Sequence, residues 1–193
     1  MPPMPAVSPR RWIAHTLAGW VAGVPLLLGL SMLFEAGGIQ HANAPVGIGM
    51  GAGIGLLQAR ALRAAGVRGQ AWATATIAGV ALPFLVSDLA RRLGLPLPYL
   101  VYPFAAIGGL LASLLQLRAW PGLRPRARGW IAASTAGWWL ACSSVALADL
   151  LSHRLHFVGP AGALAYLAIA CSGGLLLGMA TASMLTRLHP NRA

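Results

Sequence analysis

Six polar side chains, each a hydroxyl or a primary amide, recur at similar depth within long apolar stretches of this sequence. Hydrocarbon offers no partner to such groups, so each must find one inside the protein. They could line a shared polar site or pore constriction, or they could form hydrogen bonds between helices, worth roughly 0.6 to 2 kcal/mol each. The candidates are Thr16, Gln58, Thr76, Gln116, Ser134 and Thr181.

Two tryptophans, Trp20 and Trp138, lie deeper in the apolar stretches than the tryptophans that begin them. By helical rise they lie about 12 Å further in than Trp12 and Trp130. A buried indole N–H needs an acceptor or a cavity. Trp20 and Trp138 are therefore candidates for the wall of a ligand pocket, with close packing as the alternative.

Residue types that bind metal ions occur in the segments that follow the first, third and fifth apolar stretches. No compact ligand motif is present, and loops also expose such residues for solubility, so we expect neither a metal nor another cofactor. The weak metal candidates are His41, His153 and His156, with Glu35, Asp88 and Asp149 nearby in sequence.

The apolar stretches lack the combinations of residues that usually perform catalysis. The apolar stretches contain no Asp, Glu, Lys or Arg, and His15 is interpreted as a hydrogen-bonded histidine near the membrane interface. The serines within these stretches have no buried acid and base that could activate them. Cys142 and Cys171 are interpreted as small core residues. We therefore expect a protein that is not an enzyme.

Composition identifies the solvent of these stretches as lipid. Of 193 residues, 58% are hydrophobic and only 9% are charged, against about 25% charged in soluble domains. The net charge of +11 comes from arginines beside apolar segments, which argues for lipid headgroups and against nucleic acid as the partner. We predict a protein of the cytoplasmic (inner) membrane.

Six stretches are long enough to be membrane-spanning helices, since about 20 apolar residues cross a bilayer core. The third is short and contains Pro83, so it should thin the bilayer, extend past Asp88, or break. The stretches are Trp12–Phe34, Ala42–Ala59, Ala71–Val86, Pro98–Leu117, Trp130–Ala148 and a window within Phe157–Thr186.

Arginine placement predicts the orientation of these spans. With the N-terminus inside, eleven arginines face the cytoplasm and three face outward, so the positive-inside rule favours cytoplasmic termini at both ends. The outward arginines are Arg91, Arg92 and Arg154; the inward ones are Arg10, Arg11, Arg60, Arg63, Arg68, Arg118, Arg124, Arg126, Arg128, Arg187 and Arg192.

A Trp-x3-Ser/Thr-x2-Gly motif begins the first, third and fifth spans. Its three residues share one helix face, with the tryptophan expected to anchor in the wet interface. The even spans carry small residues four apart and then a polar residue, which predicts close helix packing. The motifs are Trp12-Thr16-Gly19, Trp72-Thr76-Gly79 and Trp130-Ser134-Gly137; the ladders are Gly47-Gly51-Gly55-Gln58, Ala105-Gly109-Ser113-Gln116 and Ala170-Gly174-Gly178-Thr181.

These patterns predict an all-α transmembrane fold, a six-helix bundle made of three hairpins that all insert with the same polarity. The repeats cover about 10–62, 70–120 and 128–188 within a single membrane domain, 1–193. On these motifs, and on the Gln-x-Arg ends of the second and fourth spans, the chain resembles uncharacterised bacterial multi-pass membrane proteins built from such hairpins. That resemblance implies no activity. In size and helix count the chain also looks like the substrate-binding membrane subunits of vitamin uptake systems.

Two classes of function remain open at this stage. The polar side chains and deep tryptophans favour small-solute permeation or membrane-embedded solute binding, with the solute unassigned. The small-residue ridges and the lack of buried charge also suit a non-catalytic structural or accessory subunit of a larger membrane complex. We favour the first class, and a cavity at the centre of the bundle would separate it from the second.

Overall fold

Six α-helices connected by short segments make up the part of the chain that the computed structural model describes, residues 7–95 and 101–186. No strand occurs in these two ranges. Two 3₁₀ segments, Arg63–Ala65 and Pro121–Arg126, lie in connections. The helices are α1 (Pro9–Ala36), α2 (Ala44–Leu62), α3 (Gly69–Arg92), α4 (Val101–Ala119), α5 (Ala127–Leu155) and α6 (Gly159–Thr186).

Each predicted span coincides with a helix over its described residues, except that α2 begins at Ala44, two residues after the predicted start of the second span at Ala42. The short third span extends past Asp88, which was one of its three predicted alternatives. The helix α3 has 24 residues in total and includes Pro83. The predicted start of the fourth span, 98–100, and the arginines Arg187 and Arg192 lie outside the described residues.

Four of the helices are long and apolar enough to cross a membrane: α1, α3, α5 with the turn before it, and α6. Their most apolar windows have mean hydropathies between 1.4 and 1.9. The other two, α2 and α4, have 19 residues each and include glycines and a glutamine. Leucines stand exposed around the outside, among them Leu28, Leu89 and Leu164. This surface is compatible with a membrane protein.

The helices form a closed ring, because each packs against its neighbours in sequence and α6 packs against α1. Glycines set the close approaches. A Cβ on Gly19 would lie 2.7 Å from the carbonyl oxygen of Gly53, and a Cβ on Gly79 would overlap the backbone of Ala112. The motif glycines of α1 and α3 therefore pack directly on the backbones of α2 and α4.

Asp88 has a structural role that differs from its place among the metal candidates. Its carboxylate accepts hydrogen bonds from the backbone N–H groups of Asn43 (2.8 and 2.9 Å) and Ala44 (2.8 Å), at the start of α2. It also pairs with Arg91 at 3.1 Å. An anion is favourable at a helix N-terminus, where the first amides lack partners. Asp88 therefore caps α2 from the neighbouring helix.

We expect Gly79→Ala to lower the unfolding temperature, because the added methyl must push α3 away from α4, at a cost of roughly 1 to 3 kcal/mol. Thermal unfolding in detergent, followed by circular dichroism, measures the effect. Gly29→Ala is the matched control, since a Cβ there meets nothing within 4 Å. Equal melting temperatures for the two variants would contradict the packing role of Gly79.

Candidate functional site

Three tryptophans from α1, α3 and α5 meet at the centre of the ring. The ring centroids of Trp12, Trp72 and Trp130 are 5.6 to 6.2 Å apart, in edge-to-face arrangements. Each tryptophan is at most 1% exposed. The prediction that they anchor in the wet interface is therefore wrong, because the face that carries the motif glycine packs against neighbouring helices and takes the tryptophan inward. We call these residues the tryptophan triad.

Gln58 connects three helices around the triad. From α2, its Oε1 accepts the indole N–H of Trp72 at 3.2 Å, and its Nε2 donates to the hydroxyl of Thr16 at 3.1 Å. Thr16 in turn donates to the backbone carbonyl of Trp12, four residues earlier, at 2.9 Å. The amide of Gln58 thus accepts a hydrogen bond from α3 and donates one to α1.

Gln116 repeats this arrangement one hairpin later. Its Oε1 accepts the indole N–H of Trp130 at 3.0 Å, and its Nε2 donates to Thr76 at 2.9 Å. Thr76 donates to the carbonyl of Trp72 at 3.0 Å. In both cases the glutamine precedes its tryptophan by 14 residues.

The remaining junction, between α6 and α1, uses different residues. The hydroxyl of Thr181 accepts the indole N–H of Trp12 at 2.8 Å and donates to the carbonyl of Leu177 at 2.7 Å. Thr181 has no amide to offer Ser134, whose hydroxyl instead donates to the carbonyl of Gly109 at 3.2 Å. Every indole N–H of the triad is therefore hydrogen-bonded, but Thr181 of α6 makes one interhelical hydrogen bond where Gln58 and Gln116 each make two.

The structure therefore brings five of the six predicted polar residues into one network and leaves Ser134 beside it. All six are between 0% and 4% exposed. They do not surround a solvent-accessible space. Leu62 and Leu123, each at most 1% exposed, belong to the same apolar cluster as the triad. This half of the bundle is closed by packed indoles and paired polar groups.

A cavity of about 380 Å³ lies in the other half of the ring. Trp20 lies in its wall, with an indole N–H that donates to the carbonyl of Ala170 at 3.1 Å. Trp138 packs against Trp20, with ring centroids 6.1 Å apart, but is not part of the wall. Of the two predicted pocket aromatics, only Trp20 lines the cavity.

The cavity wall is mostly apolar, with few polar groups. Among its polar groups, the carboxylate of Asp149 accepts the hydroxyl of Tyr166 at 2.7 Å. Five helices contribute to the wall, which includes Val24, Leu27, Met50, Tyr102, Cys142, Ala146 and Cys171. Sequence reasoning found Trp20 and missed the rest of this site. A signal for its α5 side was present, because Cys142 and Asp149 are seven residues apart and share one helix face.

The predicted metal candidates do not converge. Within the described ranges, no group of three His, Cys, Asp or Glu residues could hold a metal ion. His153 donates its Nδ1–H to the carbonyl of Asp149 at 2.7 Å, one turn earlier on α5, and His156 ends that helix with a φ of 50°. His15 makes a similar bond to the carbonyl of Arg11 at 2.8 Å.

No protein-family model, curated protein or solved structure matches this chain. The resemblance drawn from its motifs therefore stays an expectation.

Replacing Gln58 and Gln116 together by leucine should lower the free energy of unfolding by roughly 2 to 4 kcal/mol. The double variant leaves two buried indole N–H groups without an acceptor and removes the amide donors of Thr16 and Thr76, whose own bonds to backbone carbonyls remain, at about 1 to 2 kcal/mol for each glutamine. Denaturation of the detergent-solubilised protein measures the loss. Gln40→Leu, in an exposed turn, is the control. A double variant as stable as Gln40→Leu would show that the network contributes nothing.

Proposed function

We propose that this chain is an integral protein of the cytoplasmic membrane that binds a small, mostly apolar organic cation in the cavity beside Trp20. We further propose that α2 and α4 also cross, so that three hairpins of one polarity form the ring with both termini in the cytoplasm. The four apolar helices, the arginine distribution and the recurrence of the glutamine bonds support this arrangement. The cavity inside the ring supports the binding role.

The cavity has the properties of a ligand site rather than of a packing defect. A volume of about 380 Å³ lies within the usual range of ligand pockets, roughly 300 to 1,000 Å³. Its wall combines aliphatic and aromatic side chains with a few polar groups, the pattern that gives orientation to a bound molecule. Close packing of the whole centre would have argued against solute binding, and only one half of the ring is packed in that way.

Binding is favoured over permeation because the other half is closed. A solute that passed the tryptophan triad would have to separate three edge-to-face indole contacts and break the bonds of Gln58 and Gln116. Those groups would then lack partners in a dry interior. The triad and its network thus close the other half of the ring to a solute.

Asp149 indicates the charge of the ligand. It is the only acidic residue in the cavity wall, and no cation pairs with it among the described residues, where the ion pair is Arg91–Asp88. Tyr102, Tyr166 and Trp20 add aromatic rings that attract a cation. An apolar body with one positive charge, such as an organic ammonium, satisfies both the wall and the carboxylate.

An accessory-subunit role has less support in this geometry. Its main motive was the ridge of small residues on the even helices. Those ridges face partners within the chain: a Cβ on Gly51 would lie 3.0 Å from Ile77, and a Cβ on Gly178 would lie 3.1 Å from Ile13. They are not free to recruit a second protein.

A pair of isosteric probes tests the binding proposal. Phenyltrimethylammonium and tert-butylbenzene have nearly the same shape and differ in charge, so we expect the purified wild-type protein to bind the cation about tenfold more tightly, as measured by calorimetry. Asp149→Asn should abolish that preference while still binding tert-butylbenzene. Ala146→Phe should fill the cavity and remove binding of both.

Glu35→Gln controls for the loss of a carboxylate elsewhere, at an exposed position outside the cavity wall. It should leave the preference for the cation unchanged. Wild-type protein that binds neither probe at millimolar concentration would refute the proposal. So would an Ala146→Phe variant that is folded and binds both probes as the wild type does.

Orientation is tested separately, with single cysteines in a variant whose Cys142 and Cys171 are replaced by alanine. Gln40→Cys and Ser8→Cys place thiols at exposed positions on opposite ends of α1. A membrane-impermeant maleimide should label Gln40→Cys in intact spheroplasts, and Ser8→Cys only after permeabilisation. The reverse pattern would overturn the cytoplasmic placement of the N-terminus.

A further inference from the structure

A continuous groove runs over the outer surface of α3 and α4, at the end of the ring that holds the tryptophan triad. It consists of a cleft of about 460 Å³ and an adjoining depression of about 770 Å³. Both are lined by Arg68, Ala71, Arg118 and Ala119. The two depressions are therefore parts of one groove with two arginines where they meet.

The groove carries uncompensated positive charge. Arg68 and Arg118 are exposed, and neither guanidinium group makes an ion pair or a hydrogen bond among the described residues. The three acidic residues of the chain, Glu35, Asp88 and Asp149, belong to the opposite ends of the helices. An anion in the groove would thus meet two guanidinium groups with no competing carboxylate.

An unused hydrogen-bond donor lies beside these arginines. Trp120 lines the 460 Å³ cleft, is 8% exposed, and has an indole N–H without a partner in the described part of the chain. Buried indole N–H groups are usually paired. The three tryptophans of the triad follow that rule and Trp120 does not.

Beyond the arginines the groove becomes apolar. The wider depression is lined along α3 by Thr74, Ala75 and Ala78, and along α4 by Leu115. Thr74 and Ala78 are exposed. From Arg68 to Ala78 the helical rise is about 15 Å, the length of a good part of an acyl chain. Small side chains over this distance leave room for a rod-shaped apolar group.

We propose that this groove binds one anionic phospholipid, with its phosphate at Arg68 and Arg118 and one acyl chain along Ala78. A free phosphate would satisfy the arginines but not the apolar part, and a zwitterionic lipid would bring its own cation to the arginines. The proposal rests on the membrane location proposed above. It is independent of the cavity and of its ligand.

Equivalent positions in the first hairpin provide matched controls. Arg60 follows Gln58 as Arg118 follows Gln116, and Ala18 follows Trp12 as Ala78 follows Trp72. Both control residues are exposed, and neither lines the groove. Arg60→Gln and Ala18→Phe therefore repeat the chemical change of Arg118→Gln and Ala78→Phe on another surface.

The experiment measures lipid binding to the delipidated full-length protein in neutral detergent by native mass spectrometry. Phosphatidylglycerol and phosphatidylcholine with identical acyl chains are the probes, and inorganic phosphate is added separately. We expect one phosphatidylglycerol to bind at least tenfold more tightly than phosphatidylcholine. Arg118→Gln and Ala78→Phe should each weaken that binding about tenfold, whereas Arg60→Gln and Ala18→Phe should leave it unchanged.

Three results would overturn the proposal. One is equal binding of the two lipids to the wild-type protein. Another is an equal loss of binding in the control variants, which would indicate a diffuse effect of charge or size. The third is displacement of phosphatidylglycerol by millimolar inorganic phosphate, which would assign the site to a free anion. Cation binding in the cavity should not change in any of these variants, so failure here is distinguishable from failure of the cavity proposal.

Discussion

The need to satisfy three indole N–H groups away from water constrains the whole bundle. Trp12, Trp72 and Trp130 are completely or almost completely buried, and each requires an acceptor from another helix. That acceptor comes in every case from an even-numbered helix, and each glutamine also reaches back to a threonine on the preceding odd helix. Each of these indole bonds joins two helices that are neighbours in the ring, so the bonds follow the order of the helices around it. Glycines such as Gly79 then allow the backbones to come close enough for these bonds.

This constraint divides the interior into two unlike halves. Around the triad, aromatic edges connect alternate helices of the ring, and paired amides connect neighbouring ones. Beyond Trp20 and Trp138 neighbouring helices still pack closely, since a Cβ on Gly47 would lie 2.7 Å from Ala81, but a cavity lies between five of the helices. The polar residues that first suggested a pore are buried in the packed half of the ring, and none of them lines the cavity.

Much of this arrangement could be predicted from local patterns, and the errors have identifiable causes. Apolar runs predicted the helices, and the regular spacing of Gln58 before Trp72 and Gln116 before Trp130 already contained the pairing. The tryptophans were misplaced because an indole beside an arginine cluster looks the same whether it faces lipid headgroups or the ring centre. For Trp12, the helix face that it shares with Thr16 and Gly19 distinguishes a position at the ring centre from one at the lipid headgroups. The cap formed by Asp88 on α2 and the cavity at Asp149 depend on how separate helices are juxtaposed, which no local pattern contains.

The exceptional junction at Thr181 has a consequence for how the protein is made. Trp12 lies near the start of the described chain, and its acceptor follows 169 residues later. Trp72 and Trp130 find their glutamines on helices that have already been synthesised, only 14 residues earlier. The first indole must therefore wait until the sixth helix leaves the ribosome and inserts. A chain that stops after α5 therefore retains two paired indole N–H groups and one indole N–H, that of Trp12, without its acceptor.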